Sequence, residues 1–136
     1  MSVRIFIADD DQTIRLLLKR LLEGHNGEWQ VCGEADNGRQ AVSQVSELHP
    51  DVAILDLAMP SMTGLQAAHE IAGNQPDVPM LLISVQQVTK QLEQEARKAG
   101  FRGAVVKSSG SEVVKGVEAL LRKQRFFVFD ESPCVA

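Results

Sequence analysis

Two short stretches of this chain are apolar at nearly every position. They are Val52-Ala-Ile-Leu55 and the run Met80 to Val85, which is broken only by Ser84. A strand with one wet face alternates apolar and polar residues; a strand apolar throughout is covered on both faces. Such strands belong to a parallel sheet with helices packed on either side. That requirement excludes most all-β and all-α architectures before any other residue is considered.

The rest of the chain supplies the partners. Val3 to Ala8 and Trp29 to Ala35 read as two earlier strands, Asp51 to Leu57 as the third, and Ala104 to Val106 as a short fifth. Between them lie amphipathic stretches. Thr13 to Leu22 places Ile14, Leu17, Leu18 and Leu21 on one helical face, and Asn37 to Leu48 does the same with Ala41, Val45 and Leu48. Leu65, Ala68 and Ala72 mark a third helix, and Val88, Leu92, Ala96 and Ala99 a fourth that Gly100 would end; Val113, Val117 and Leu120 mark the last. Five β/α units in 136 residues make one α/β domain, a flavodoxin-like (βα)5 doubly wound sheet with expected strand order 2-1-3-4-5. It is expected to occupy residues 1–123, with 124–136 as a tail or truncated linker.

Charge and cysteine content narrow the function classes. The net charge of −4 gives no general attraction to nucleic acid or anionic lipid, so neither is expected as a partner of this segment. No run approaches the roughly 18 apolar residues of a membrane span. Cys32 and Cys134 do not form a disulfide framework, and a reducing, cytoplasmic setting is expected.

In open α/β sheets ligands bind beyond the carboxyl ends of the strands. The polar residues there are Asp9 and Asp10 after the first strand, Asp56 near the end of the third, Ser84 ending the fourth and Lys107 ending the fifth. With the first and third strands adjacent, the three carboxylates converge. Two unit charges about 4 Å apart repel by about 4 kcal/mol at an effective dielectric near 20, so such a cluster calls for a cation or a proton. An all-oxygen donor set favours a hard divalent ion, Mg²⁺ before Ca²⁺ because no EF-hand loop is present. Asp56 is then suited to attack phosphorus and become an acyl phosphate, with Lys107 as a point charge for the phosphoryl group and Ser84 as its hydrogen-bond donor.

These residues together resemble the receiver domain of two-component response regulators: Asp9-Asp10, then Asp56-Leu-Ala-Met-Pro60 with Gly64, then Ser84, then Val-Val-Lys107. The resemblance runs from Val3 to about Leu121. It implies Asp56 as phosphoacceptor, Asp10 as a direct Mg²⁺ ligand, Asp9 acting partly through water, and the backbone carbonyl of Ala58 as a further ligand. It implies Ser84 and Lys107 as the switch hydroxyl and the phosphate-pairing lysine. The donor would be a sensor histidine kinase or a phosphotransfer protein, and the chain would be a switch rather than an enzyme turning over a metabolite.

The family's pattern is broken at three places, one being the positions that tune phosphate lifetime, where Ala58 and Gln86 stand and neither is a carboxylate. An aromatic residue usually stands three positions before the lysine, where this chain has Ala104; Val85 replaces a smaller residue after the hydroxyl and should narrow the approach to Asp56. Three rivals follow. A phosphorylation-independent interaction module is kept open by Ala104 and Val85. An aspartyl phosphohydrolase would want a carboxylate where Ala58 stands. A flavin or nucleotide binder is opposed by Asp9-Asp10-Asp11. Asp11 suits a helix N-terminus, Trp29 suits packing, and His25, His49 and His69 lack metal spacing. Phe126, Phe127 and Phe129 either fold back on the sheet edge or last helix, belong to a linker toward an absent helix-turn-helix module, or join two subunits in a homodimer.

Overall fold

The computed structural model describes residues 2–127. Phe129, Cys134 and most of the expected tail lie outside them. Five strands run as β1 (Val3–Ala8), β2 (Trp29–Ala35), β3 (Val52–Asp56), β4 (Met80–Ser84) and β5 (Gly103–Val106). The helices between and after them are α1 (Gln12–His25), α2 (Gly38–Leu48), α3 (Gly64–Asn74), α4 (Lys90–Ala99) and α5 (Gly110–Leu121). A two-residue strand, β6 (Phe126–Phe127), ends the described chain. The sheet order is β2-β1-β3-β4-β5-β6 and every pairing is parallel, so the expected order holds with one strand added at the edge.

Alternation along each strand divides the apolar residues between two cores. Ile5 and Ile7 of β1, Ile54 of β3 and Leu81 and Ile83 of β4 face α1 and α5, where Leu18, Leu22, Val113 and Val117 meet them. Phe6 and Ala8, Leu55, Met80 and Leu82 face α2, α3 and α4 through Ala41, Val45, Ala68, Ile71 and Ala96. Both faces of β3 and β4 are therefore dry, which is why those strands read as unbroken apolar runs.

Helix starts follow local chemistry. The Asp11 carboxylate accepts from the Thr13 and Ile14 amides, so the helix-start reading of Asp11 is the one the structure adopts. Asn37, Thr63, Thr89 and Ser109 cap the other four helices in the same way. The Thr89 cap moves one expectation: Val88 is not on α4 but in the loop before it, fully buried and pinning that loop to the core. Gly100 ends α4 in the left-handed conformation, with φ 107°.

After α5 the chain reverses through Lys123 (φ 62°), and the Phe126 amide donates to the Arg102 carbonyl at 2.9 Å. Phe126 and Phe127 thus take the fold-back on the sheet edge. Phe126 packs with the α1/α5 core and Phe127 with the opposite one, beside Ala104. The Arg97 guanidinium of α4 lies 4.2 Å from the centroid of the Phe127 ring. Cys32 is half-buried: it sits where the β1–β2 register slips by one residue, between the Ile5↔Val31 and Phe6↔Gly33 pairs.

Candidate functional site

The carboxyl ends of β1, β3, β4 and β5 meet at one edge of the sheet. Asp9 leaves β1 with its amide still paired to the Ala35 carbonyl of β2 at 3.0 Å, so the ladder carries it one step beyond the strand. Asp56 is the last residue of β3 and pairs with Ile83 of β4. The three carboxylates of Asp9, Asp10 and Asp56 each offer an oxygen within 4.8 Å of the others. Asp9 and Asp56 are buried, whereas Asp10 is exposed.

Lys107 follows β5 and crosses to this cluster. Its Nζ lies 2.7 Å from Asp9 Oδ2 and 3.3 Å from Asp56 Oδ2, and its side chain is 9% exposed. The Lys107 amide donates to the Ser84 carbonyl at 2.7 Å, which ties β4 and β5 together at the point where the lysine departs. The second oxygen of Asp9 accepts from the Asp11 amide at 2.9 Å.

The electrostatics follow from this arrangement. Burial, then the neighbouring Asp9 charge, push the Asp56 carboxyl up from 3.8 to about 6, against the pull of Lys107 and of the Ala58 backbone amide. Burial pulls the Lys107 ammonium down, but its contacts with Asp9 and Asp56 outweigh that and leave it raised overall. Lys107 is thus charged, and Asp56 loses its proton at about pH 6.

Ser84 is buried at the end of β4, and its Oγ accepts from the Gln86 amide at 3.1 Å. No hydrogen bond links it to Asp56 among the described residues. Val85 stands 72% exposed beside it. Ala58 is exposed in the loop after Asp56, which the buried side chains of Met59 and Met62 hold down. That loop closes because the Gly64 amide donates to the Leu57 carbonyl at 2.9 Å. A Cβ on Gly64 would lie 2.2 Å from the Asp56 carbonyl oxygen, so only glycine fits there.

One contributor has no mark in the sequence. The Arg15 guanidinium of α1 donates through Nη1 to the Asp9 carbonyl at 2.6 Å and through Nε to Glu34 Oε1 at 3.0 Å. An arginine one turn into a helix looks like any solvated residue until the neighbouring strand is in place.

The fold and this acidic edge define a flavodoxin-like domain with an acidic pocket at the carboxyl ends of its strands. Residues 5–118 match the model of the response regulator receiver domain, and the chain belongs to that family. It is 36% identical over 107 residues to the chemotaxis protein CheY of Thermotoga maritima, covering 79% of this chain and 87% of that protein. It is 29% identical over 125 residues to the response regulator GacA of Pseudomonas viridiflava, covering 91% of this chain but 58% of GacA. A match at 46% identity to a protein-glutamate methylesterase of Alkalilimnicola ehrlichii spans 62% of this chain and 21% of that protein. Among solved structures, a LuxR-family two-component response regulator from an Aurantimonas species superposes with TM-score 0.87 at 29% identity, covering 98% of this chain and 91% of that one. The receiver domain of NarL from Mycobacterium tuberculosis does so with TM-score 0.83 at 32% identity, covering 90% and 98%. No described helix is long and apolar enough to cross a membrane.

Proposed function

We propose that the chain is a phosphoacceptor switch that takes a phosphoryl group on Asp56. The observation that carries this reading is the meeting of three carboxylates within 4.8 Å with a lysine that touches two of them. Hard oxygen donors at that spacing fit Mg²⁺. Asp9, Asp10, Asp56 and the Ala58 carbonyl are its proposed ligands, and the Asp10 carboxylate has no side-chain partner of its own among the described residues to compete with it. When bound, the metal would neutralise phosphoryl oxygens.

The chain's own residues do the rest. Asp56, ionised above about 6, supplies the attacking oxygen; the new P–O bond forms as the bond from phosphorus to the donor's leaving atom breaks. Lys107 pairs with the arriving charge, and Ser84 donates its hydroxyl proton to a phosphoryl oxygen. The product favours a different arrangement of Ser84 and Lys107, which biases two conformations and so controls an output module or partner. The donor is proposed to be a sensor histidine kinase or a phosphotransfer protein, the compartment the cytoplasm. The similarity to the transcriptional regulatory protein YdfI of Bacillus subtilis, 34% identical over 111 residues, supports regulation of transcription as the downstream process.

Incubation with acetyl phosphate and MgCl₂, followed by intact mass, tests the reading. Wild type should gain one phosphoryl group and Asp56→Asn none. A wild type that gains nothing at saturating donor would leave the phosphorylation-independent module standing instead.

A further inference from the structure

Arg15 lies outside the acidic cluster, yet its guanidinium reaches back to the loop that carries two of the three carboxylates. Its side chain is 16% exposed and bridges two elements: Nη1 to the Asp9 carbonyl, Nε to Glu34 on β2. The Asp9 amide is held by β2 as well, through Ala35. Both peptide groups flanking Asp9 are therefore referenced to the same strand. A peptide group is planar, so fixing the Asp9 carbonyl also fixes the direction in which the chain enters Asp10.

That matters because Asp9 and Asp10 are anchored unequally. Asp9 has Lys107 and the Asp11 amide on its two carboxylate oxygens. Asp10 is exposed, and its carboxylate has no hydrogen bond or ion pair among the described residues. Its orientation toward the other two acids is set by the backbone, and Arg15 holds the carbonyl that leads into Asp10.

We infer that Arg15, braced by Glu34, is a positioning residue that aims Asp10 and thereby sets the Mg²⁺ affinity of the site. The inference rests on the phosphoacceptor reading above. It also opposes the simpler electrostatic expectation. A cation beside the cluster should repel a metal ion, so removing its charge should tighten binding. If geometry dominates, removal weakens it. Lysine separates the two, because it keeps the charge but cannot replace a planar fork that bonds in two directions at once.

Calorimetric titration of the full metal-free chain with MgCl₂ tests this. Arg15→Gln and Arg15→Lys are both expected to weaken binding by about tenfold, the usual scale for groups that hold a metal ligand from behind. Glu34→Ala should weaken it several-fold. Glu34→Gln should bind like wild type, since its amide oxygen still accepts from Nε. As a second readout, acetyl phosphate should bring the Arg15 variants to the wild-type extent of phosphorylation at saturating MgCl₂, with the half-maximal MgCl₂ concentration raised by the same factor. Arg15→Lys matching wild type, or Arg15→Gln binding more tightly, would overturn the inference. A wild type that neither binds Mg²⁺ nor gains a phosphoryl group overturns the reading beneath it. If Arg15→Gln fails to fold, the comparison of Arg15→Lys with wild type decides alone.

Discussion

Asp56→Asn should make the metal-free protein more stable, although it removes the group the site is built around. Asp56 is 3% exposed. Burial and the nearby Asp9 charge raise it from 3.8 to about 6. A carboxyl that holds its proton more tightly when folded stabilises the fold fully below about pH 3.8, and that contribution is lost as the pH climbs through about 6. At 1.36 kcal/mol per pH unit, the loss amounts to about 3 kcal/mol above that window. Asparagine is the neutral isostere and loses nothing. In EDTA at about pH 7.5 the variant should therefore exceed wild type by up to about 3 kcal/mol, on the order of 10 °C in a chain of this size. At about pH 4 the two should nearly coincide, because wild-type Asp56 then carries its proton. Thermal and urea unfolding at both pH values measure the gap. Saturating MgCl₂ should shrink it, since the metal favours the ionised form. A variant no more stable than wild type at the higher pH, or a gap of equal size at both, would refute the reasoning.

Other perturbations follow from the same geometry. Lys107→Met leaves Asp9 and Asp56 without the cation that touches both, so the Asp56 carboxyl should titrate above its wild-type value, as carbon-detected NMR of the side chain would show. Gly64→Ala drives a Cβ into the Asp56 carbonyl oxygen, 2.2 Å away; urea unfolding should show a loss of about 3 kcal/mol, and intact mass a much slower phosphoryl gain. Phe127→Ala strips a half-buried ring from the sheet edge together with its contact to Arg97, and should cost about 2 kcal/mol in urea unfolding. A double-mutant cycle with Arg97→Ala should return a coupling of about 0.5–1 kcal/mol for the cation on the ring.

Much of the fold was legible because dry strands advertise themselves. Val52 to Leu55 and Met80 to Ile83 could only be central, and once they are, Asp56 and Ser84 must stand at the ligand edge. What stayed hidden depended on contacts between segments distant in the chain. Val88 keeps the spacing of a helix face, yet Thr89 caps α4 one residue later, and the burial of Val88 comes from the core beneath the loop. Cys32 falls at a register slip that no local pattern encodes. The fold-back of Phe126 and Phe127 depends on the missing side chain at Gly103, where a Cβ would meet the Phe126 carbonyl oxygen at 2.6 Å. Arg15 of α1 took its meaning only from the Asp9 carbonyl and from Glu34 on β2.

The position of Lys107 shows why such a site can act as a switch at all. In this structure its ammonium sits closer to Asp9, at 2.7 Å, than to Asp56, at 3.3 Å. On the proposed reading two events pull it the same way. A divalent ion on Asp9 and Asp10 weakens the hold of Asp9 on the lysine, and a phosphoryl group on Asp56 places a charge of about −2 where about −1 stood. The lysine then gains by moving toward the phosphoryl group. Its own amide is bonded to the Ser84 carbonyl, so the ends of β5 and β4 feel the change together. Further along β5 lies Ala104, fully buried, with Phe127 beside it in register and Arg97 of α4 over that ring. A small residue at position 104 leaves no ring of its own to report what happens at Lys107. The ring that flanks this strand belongs to β6 and lies against Arg97 of α4, so on the same reading a displacement of β5 would reach β6 and α4.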